Sequence, residues 1–118
     1  MRMKNAIETK HKLDFEARPW KGGLVDGVVQ YRIGTCTGLY EYTDEGISII
    51  VIDNDHPGNG HLDDVFEWFE YAAREQKKRL WIRQFFNRVF QDHCIKKRGF
   101  IQSDKNPHDV YKDLTPIP

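Results

Sequence analysis

Ile47-Ser48-Ile49-Ile50-Val51-Ile52 runs straight into Asp53-Asn54-Asp55-His56-Pro57-Gly58-Asn59-Gly60, and His61 opens a stretch of helical period reaching Gln76. The first six residues are almost continuously apolar and mostly β-branched, as expected of a strand covered on both faces. The next eight are rich in turn formers, with Pro57 and two glycines. In residues 61–76, Leu62, Val65, Phe66, Phe69, Ala72 and Ala73 recur at helical spacing, while Asp63, Asp64, Glu67, Glu70 and Arg74 fall on the other faces. A second apolar run, residues 79–86, follows. Strand, helix, strand in that order predicts a parallel pair joined by a right-handed crossover.

Upstream, Leu13, Phe15 and Ala17 alternate with charged residues and stop at Pro19, which reads as a half-exposed strand. Residues 28–33 and 39–43 are two more strands, and Asp44-Glu45-Gly46 turns the second of them into the central run. Downstream, Val89, Phe90, His93, Cys94 and Lys97 fit a short helix ended by Gly99. Residues 100–102 and 110–112 then form an antiparallel pair around Asn106-Pro107. The expectation is one α/β (α+β) domain over residues 1–118, with residues 1–10 flexible. Its mixed, largely antiparallel sheet holds one parallel strand–helix–strand unit, followed by a short C-terminal helix.

Composition narrows the function classes. The 118 residues carry no net charge, with 18 Lys+Arg against 18 Asp+Glu, so the basic footprint of a dedicated nucleic-acid binder is missing. No apolar stretch approaches the ~20 residues needed to span a bilayer. The Met1-Arg2-Met3-Lys4 start leads into polar sequence and reads as no secretory signal. Cys36 and Cys94 lie in unrelated contexts and read as free thiols of a reducing compartment, so a cytoplasmic location is expected. No histidine or cysteine spacing suits zinc, and no metal ligand is assigned on that ground.

A turn whose paired glycines open a helix offers free backbone N–H groups and the positive end of a dipole, a natural seat for phosphate. With its flanking elements, this turn resembles the acyl-CoA-binding half of the GNAT superfamily of N-acyltransferases. Gly58-Asn59-Gly60 matches the family's central Gly-x-Gly, Lys78-Arg79-Leu80-Trp81-Ile82 its following strand, and Arg98-Gly99-Phe100 the end of its last helix. The likeness covers residues 28–114. It implies acetyl-CoA as substrate, held by Ile52, Gly58, Asn59, Gly60 and His61, and acetyl transfer to a small-molecule or protein amine. It also implies Glu45 or Glu41 as the base, and Cys94 or water as the acid that protonates the departing thiolate.

This chain departs from the family's pattern at four places. Pro57 stands for its arginine, Leu62 for a third small residue, and Ile95 for the tyrosine four residues before the Gly-Phe pair. Between Ala17 and Val28 there is room for a loop only, where the family inserts two helices that wall the acceptor site. A second subunit, as in a homodimer, would have to supply that wall, or the acceptor pocket would be shallow. Neither nucleic acid nor membrane is expected as a partner.

Two other readings stand beside the first. One is a catalytically silent GNAT-like domain used for binding or assembly. The other is a calcium module, since Asp53, Asp55 and Asp64 fall at the first, third and twelfth positions of an EF-hand-like spacing. His93 reads as a packed histidine and Cys94 as a small buried hydrophobe if neither is functional. Trp68 and Tyr71 lie off the main apolar stripe and either broaden the core face or mark a partner surface.

Overall fold

The computed structural model describes residues 7–21, 27–83 and 87–114. In chain order the elements are β1 (Phe15–Pro19), β2 (Val28–Ile33), β3 (Cys36–Thr43), β4 (Gly46–Asn54), α1 (His61–Glu75), β5 (Arg79–Ile82), α2 (Arg88–Arg98), β6 (Ile101–Gln102) and β7 (Val110–Asp113). They build one seven-stranded sheet in the order β1-β2-β3-β4-β5-β7-β6. Neighbours pair antiparallel except β4 and β5, which run parallel, with α1 as their crossover. The α+β class, the largely antiparallel sheet and the parallel strand–helix–strand unit therefore stand as expected.

The inner face of the sheet takes Phe15, Tyr31, Ile33, Cys36, Tyr40, Ile47, Ile49, Leu80 and Val110, all buried under the helices. Four aromatic rings form the centre. Phe69 of α1 meets Phe15, Tyr31 and Tyr40 edge-on, with centroids 5.8, 5.0 and 5.0 Å away, a geometry that suits ring quadrupoles. α2 rests against α1 through Phe90 on Phe66, 6.3 Å between centroids, and Arg98 lies 4.3 Å over the Phe66 ring.

Several local expectations are corrected. The first hairpin turn is only Gly34-Thr35, so β3 starts at Cys36 and not at Leu39. β5 stops at Ile82, and residues 84–86, read as its continuation, lie outside the described residues. Trp68 belongs to the core at 3% exposure, because the segment before β1 crosses α1 and accepts the indole N–H at Leu13 O (3.1 Å). That settles the alternative for Trp68 in favour of a wider core face. Val89, expected on an apolar helix face, is 82% exposed. His93 is exposed too, with its ring stacked on Phe90.

β4 is irregular in a way that matters for the site. Leu39 pairs with Val51 and Tyr40 with Ile49, so Ile50 is an extra residue and the strand carries a bulge. On its other side β4 pairs with β5 only from Gly46 to Ile49, with one further bond from Arg83 N to Ile49 O at 3.1 Å. Beyond that point, residues 50–54 have no strand partner on the β5 side among the described residues. Past Ile49, β4 thus presents an edge on the β5 side that has no strand partner among the described residues, and the glycine turn lies at the far end of that edge.

Candidate functional site

The turn at residues 53–60 is held by its own side chains. Asn59 is the organiser. Its Oδ1 accepts from the His61 N–H (3.0 Å) and from Asn54 Nδ2 (3.3 Å), and its Nδ2 donates to Thr35 Oγ1 (2.8 Å). Thr35 donates its backbone N–H to His61 Nδ1 at 3.1 Å and its hydroxyl to Asn54 Oδ1 at 2.7 Å. The first hairpin and the start of α1 are therefore tied together through polar groups. His61 N, counted in sequence as an open donor, is already engaged.

Gly60 caps α1 with φ 85°, left-handed backbone that favours glycine. A Cβ placed there would lie 2.7 Å from His11 Nε2. His11 belongs to the amino-terminal segment, in the turn from Thr9 to Lys12 ahead of β1, and its ring sits 6.1 Å from that of His61. Gly58, at φ 90°, has open space around it. So the turn is half open: Gly58 faces solvent, and Gly60 lies under an imidazole.

That amino-terminal segment is fastened by Asp64. Its carboxylate is fully buried and accepts from the Thr9 hydroxyl, from His11 N (3.0 Å) and from Leu13 N (3.1 Å). Lys10 N donates to Glu67 Oε2 at 2.8 Å. Thr9 and Lys10, inside the stretch expected to be flexible, are thus held by α1. Asp64, placed by its helical phase on a polar face, is an interior hub instead. With both oxygens committed to these donors it cannot turn toward Asp53 and Asp55, so the calcium reading loses its twelfth-position ligand.

Asp63 pairs with Arg98 and, at 3.3 Å, with Lys10. The hydrogen bond from Arg98 holds the Asp63 carboxyl below its usual range. Its contribution is therefore present at neutral pH and is lost as acid titrates the group through that lowered value.

The proposed catalytic residues do not converge. Cys94 lies on the inner side, wholly buried, and burial pushes its thiol up to about 12. It is a core thiol with no exposed surface, and the packed role is the one observed. Glu41 and Glu45 lie on the opposite side of the sheet or at its rim. Glu45 sits in the turn before β4, at the end away from the glycines. Nine residues of strand separate the two ends, roughly 30 Å at about 3.3 Å per residue. Glu41 pairs with Ser48, two residues from the bulge, and is half-buried on the outer face. Of the two carboxylates, only Glu41 is near the part of β4 beyond its pairing with β5. Ile52 lies in that part and pairs with Gly38 of β3.

Glu45 has a different occupation. Its Oε1 is 3.4 Å from Arg83 Nη2, and its carbonyl accepts the Trp81 indole N–H at 3.1 Å. Arg83 also reaches Asp109 (3.2 Å) and Ser48 (3.3 Å) and lies 4.0 Å over the Trp81 ring. Since the Glu45 side chain is 65% exposed, Glu45→Gln should cost less than about 1 kcal/mol. Urea denaturation will check this. A loss well above that would mean Arg83 depends on Glu45 rather than on Asp109 and Trp81.

Sequence reading missed Asp64, His11 and Arg83. Helical phase argued against the first, and the other two carry no motif, because their hydrogen-bonding partners lie tens of residues away. Compared with protein-family models, curated proteins and solved structures, the chain gives no significant match. No helix among the described residues is long and apolar enough to cross a membrane.

Proposed function

We propose that this chain is a short GNAT-like domain that binds acetyl-CoA and transfers the acetyl group to an amine. The observation that supports the reading is the end of β4–β5 pairing at Ile49, beside the Ile50 bulge, with the glycine turn and the start of α1 beyond it. A thioester arm laid along the β5-side edge of residues 50–54, which has no strand partner among the described residues, would meet backbone groups there, and its diphosphate would lie at Gly58. The amine would attack the thioester carbonyl, and a β4 backbone N–H near Ile52 would stabilise the oxyanion. Glu41 would take the amine proton, directly or through water. With Cys94 buried, water would protonate the departing thiolate.

A silent binding or assembly domain of the same architecture is the second reading. It is favoured by the imidazole over Gly60, by Pro57 in place of a cation, and by Asp53 and Asp55 beside the turn. Isothermal titration with acetyl-CoA separates the two. Binding is expected to the wild-type chain, and Pro57→Arg should strengthen it by on the order of 1–3 kcal/mol through a charge-assisted contact. If neither protein takes up acetyl-CoA at millimolar concentration, acyl transfer is abandoned and the binding reading stands.

A further inference from the structure

Both helices cover the inner face of the sheet, and the outer face of β1 and β2 carries a trough. Two open depressions, of about 290 and 560 Å³, share Arg18 and Gln30 and so run together along the β1–β2 seam. Arg32 and Glu16 line one end, Trp20 and Lys21 the other. Elsewhere on this face, Arg79 is tied to Asp113 (2.6 Å) and Tyr111, and Arg83 to Asp109 and Trp81. Arg18 and Arg32 differ: both are exposed, and neither has an ion-pair partner among the described residues. Three cations thus face one carboxylate, Glu16, in a chain with no net charge.

We infer that this trough docks an extended acidic segment of a partner protein, with carboxylates at alternate positions. Gln30 pairs with Arg18 and Glu16 with Arg32, so the two arginines are diagonal neighbours across the strands. Such neighbours lie roughly 7–8 Å apart, close to the ~7 Å between alternate side chains of an extended chain. Each planar guanidinium matches one carboxylate bidentately. Trp20 offers an apolar contact just beyond them. The shape is long, open and polar, which suits an extended chain better than an enclosed small molecule. A single tryptophan and zero net charge argue against single-stranded nucleic acid, which needs several stacking rings and a basic field.

Fluorescence anisotropy on the full chain tests this with a labelled peptide carrying glutamates at alternate positions beside a leucine. The glutamine version and a single-stranded oligonucleotide serve as comparators. The glutamate peptide should bind, weaken with salt, and outcompete both comparators. Arg18→Glu and Arg32→Glu should each weaken it by roughly tenfold or more, the loss expected of a charge-assisted pair. Glu16→Gln should tighten it, and melting temperatures should stay at the wild-type value. The inference falls if the glutamate peptide fails to bind at millimolar concentration, if the glutamine peptide binds equally, or if the arginine variants bind as the wild type does. Tighter, arginine-dependent binding of the oligonucleotide would assign the trough to nucleic acid instead.

Discussion

Gly38→Ala is expected to destabilise the protein by about 4 kcal/mol, beyond the usual 1–3 kcal/mol for added core volume. A Cβ at Gly38 would stand 1.9 Å from the Val51 carbonyl oxygen and 2.6 Å from the Tyr31 hydroxyl. The first obstacle is backbone and cannot rotate away. It is also part of a built feature, since Tyr31 donates to Val51 O at 3.0 Å exactly where Ile50 bulges out of register. Burial raises the Tyr31 phenol far above its ordinary value, so it remains a donor throughout the accessible pH range.

Adding the methyl group forces β3 and β4 apart or flattens the bulge, and either change displaces the β4 edge at residues 50–54. Urea denaturation should show the loss, with Gly58→Ala as a control near 1 kcal/mol, since that site is open and only its left-handed backbone is strained. Tyr31→Phe in the same chain should rescue little, because the Val51 carbonyl stays in place. A Gly38→Ala protein within about 1 kcal/mol of wild type would mean that β3 slides freely on β4. The bulge would then not be a fixed part of the site.

What the sequence reveals and what it hides divide along a physical line. Ile47 to Ile52 announces a strand because its neighbours in sequence decide its character, and the Pro-Gly-rich turn and the period of α1 are equally local. The expected cover on both faces stops at Ile49, however, and Val51 is 42% exposed. The bulge at Ile50 is invisible in that run, since it arises from a mismatch with Tyr40 and Leu39 on another strand. The placing of β7 between β5 and β6 likewise depends on pairings across the whole carboxy-terminal third. Asp64 is the sharpest case. Helical phase puts an acidic residue on a wet face, and that inference fails only because Thr9, His11 and Leu13 supply donors from more than fifty residues away. At the candidate site, the glycine turn is legible and its occupancy is not: nothing local tells that Asn59 has filled one donor and His11 shades Gly60. Cys94 and Glu45 fit the site only by position in a resemblance, and in the fold burial removes the first and the length of β4 the second.

Asp64→Ala is expected to lower stability by about 3 kcal/mol. Three hydrogen bonds to a charged acceptor are worth roughly 1.5–3 kcal/mol each, but two terms reduce the sum. Removing the carboxylate relieves the desolvation of a fully buried anion. The segment from Thr9 to Leu13 also peels away, so its N–H groups meet water rather than staying buried and unpaired. What remains lost is the apolar closure beneath it, including the Trp68 indole bond to Leu13 O. Asp64→Asn keeps the shape and one acceptor but turns an amide toward a donor, and should lose about half as much. At about 4 °C per kcal/mol for a domain of this size, the alanine variant should melt about 12 °C below wild type. Hydrogen exchange locates the effect: the His11 and Leu13 amides should lose protection far beyond the global change, while those of β3 follow the global stability alone. A melting temperature within about 2 °C of wild type would show that the segment is held by Glu67 and packing and that Asp64 contributes little. The same variant bears on the turn. Releasing the segment takes His11 off Gly60, so if acetyl-CoA binds there, its affinity should rise in Asp64→Ala even as the fold weakens. Weaker binding would instead make His11 part of the seat.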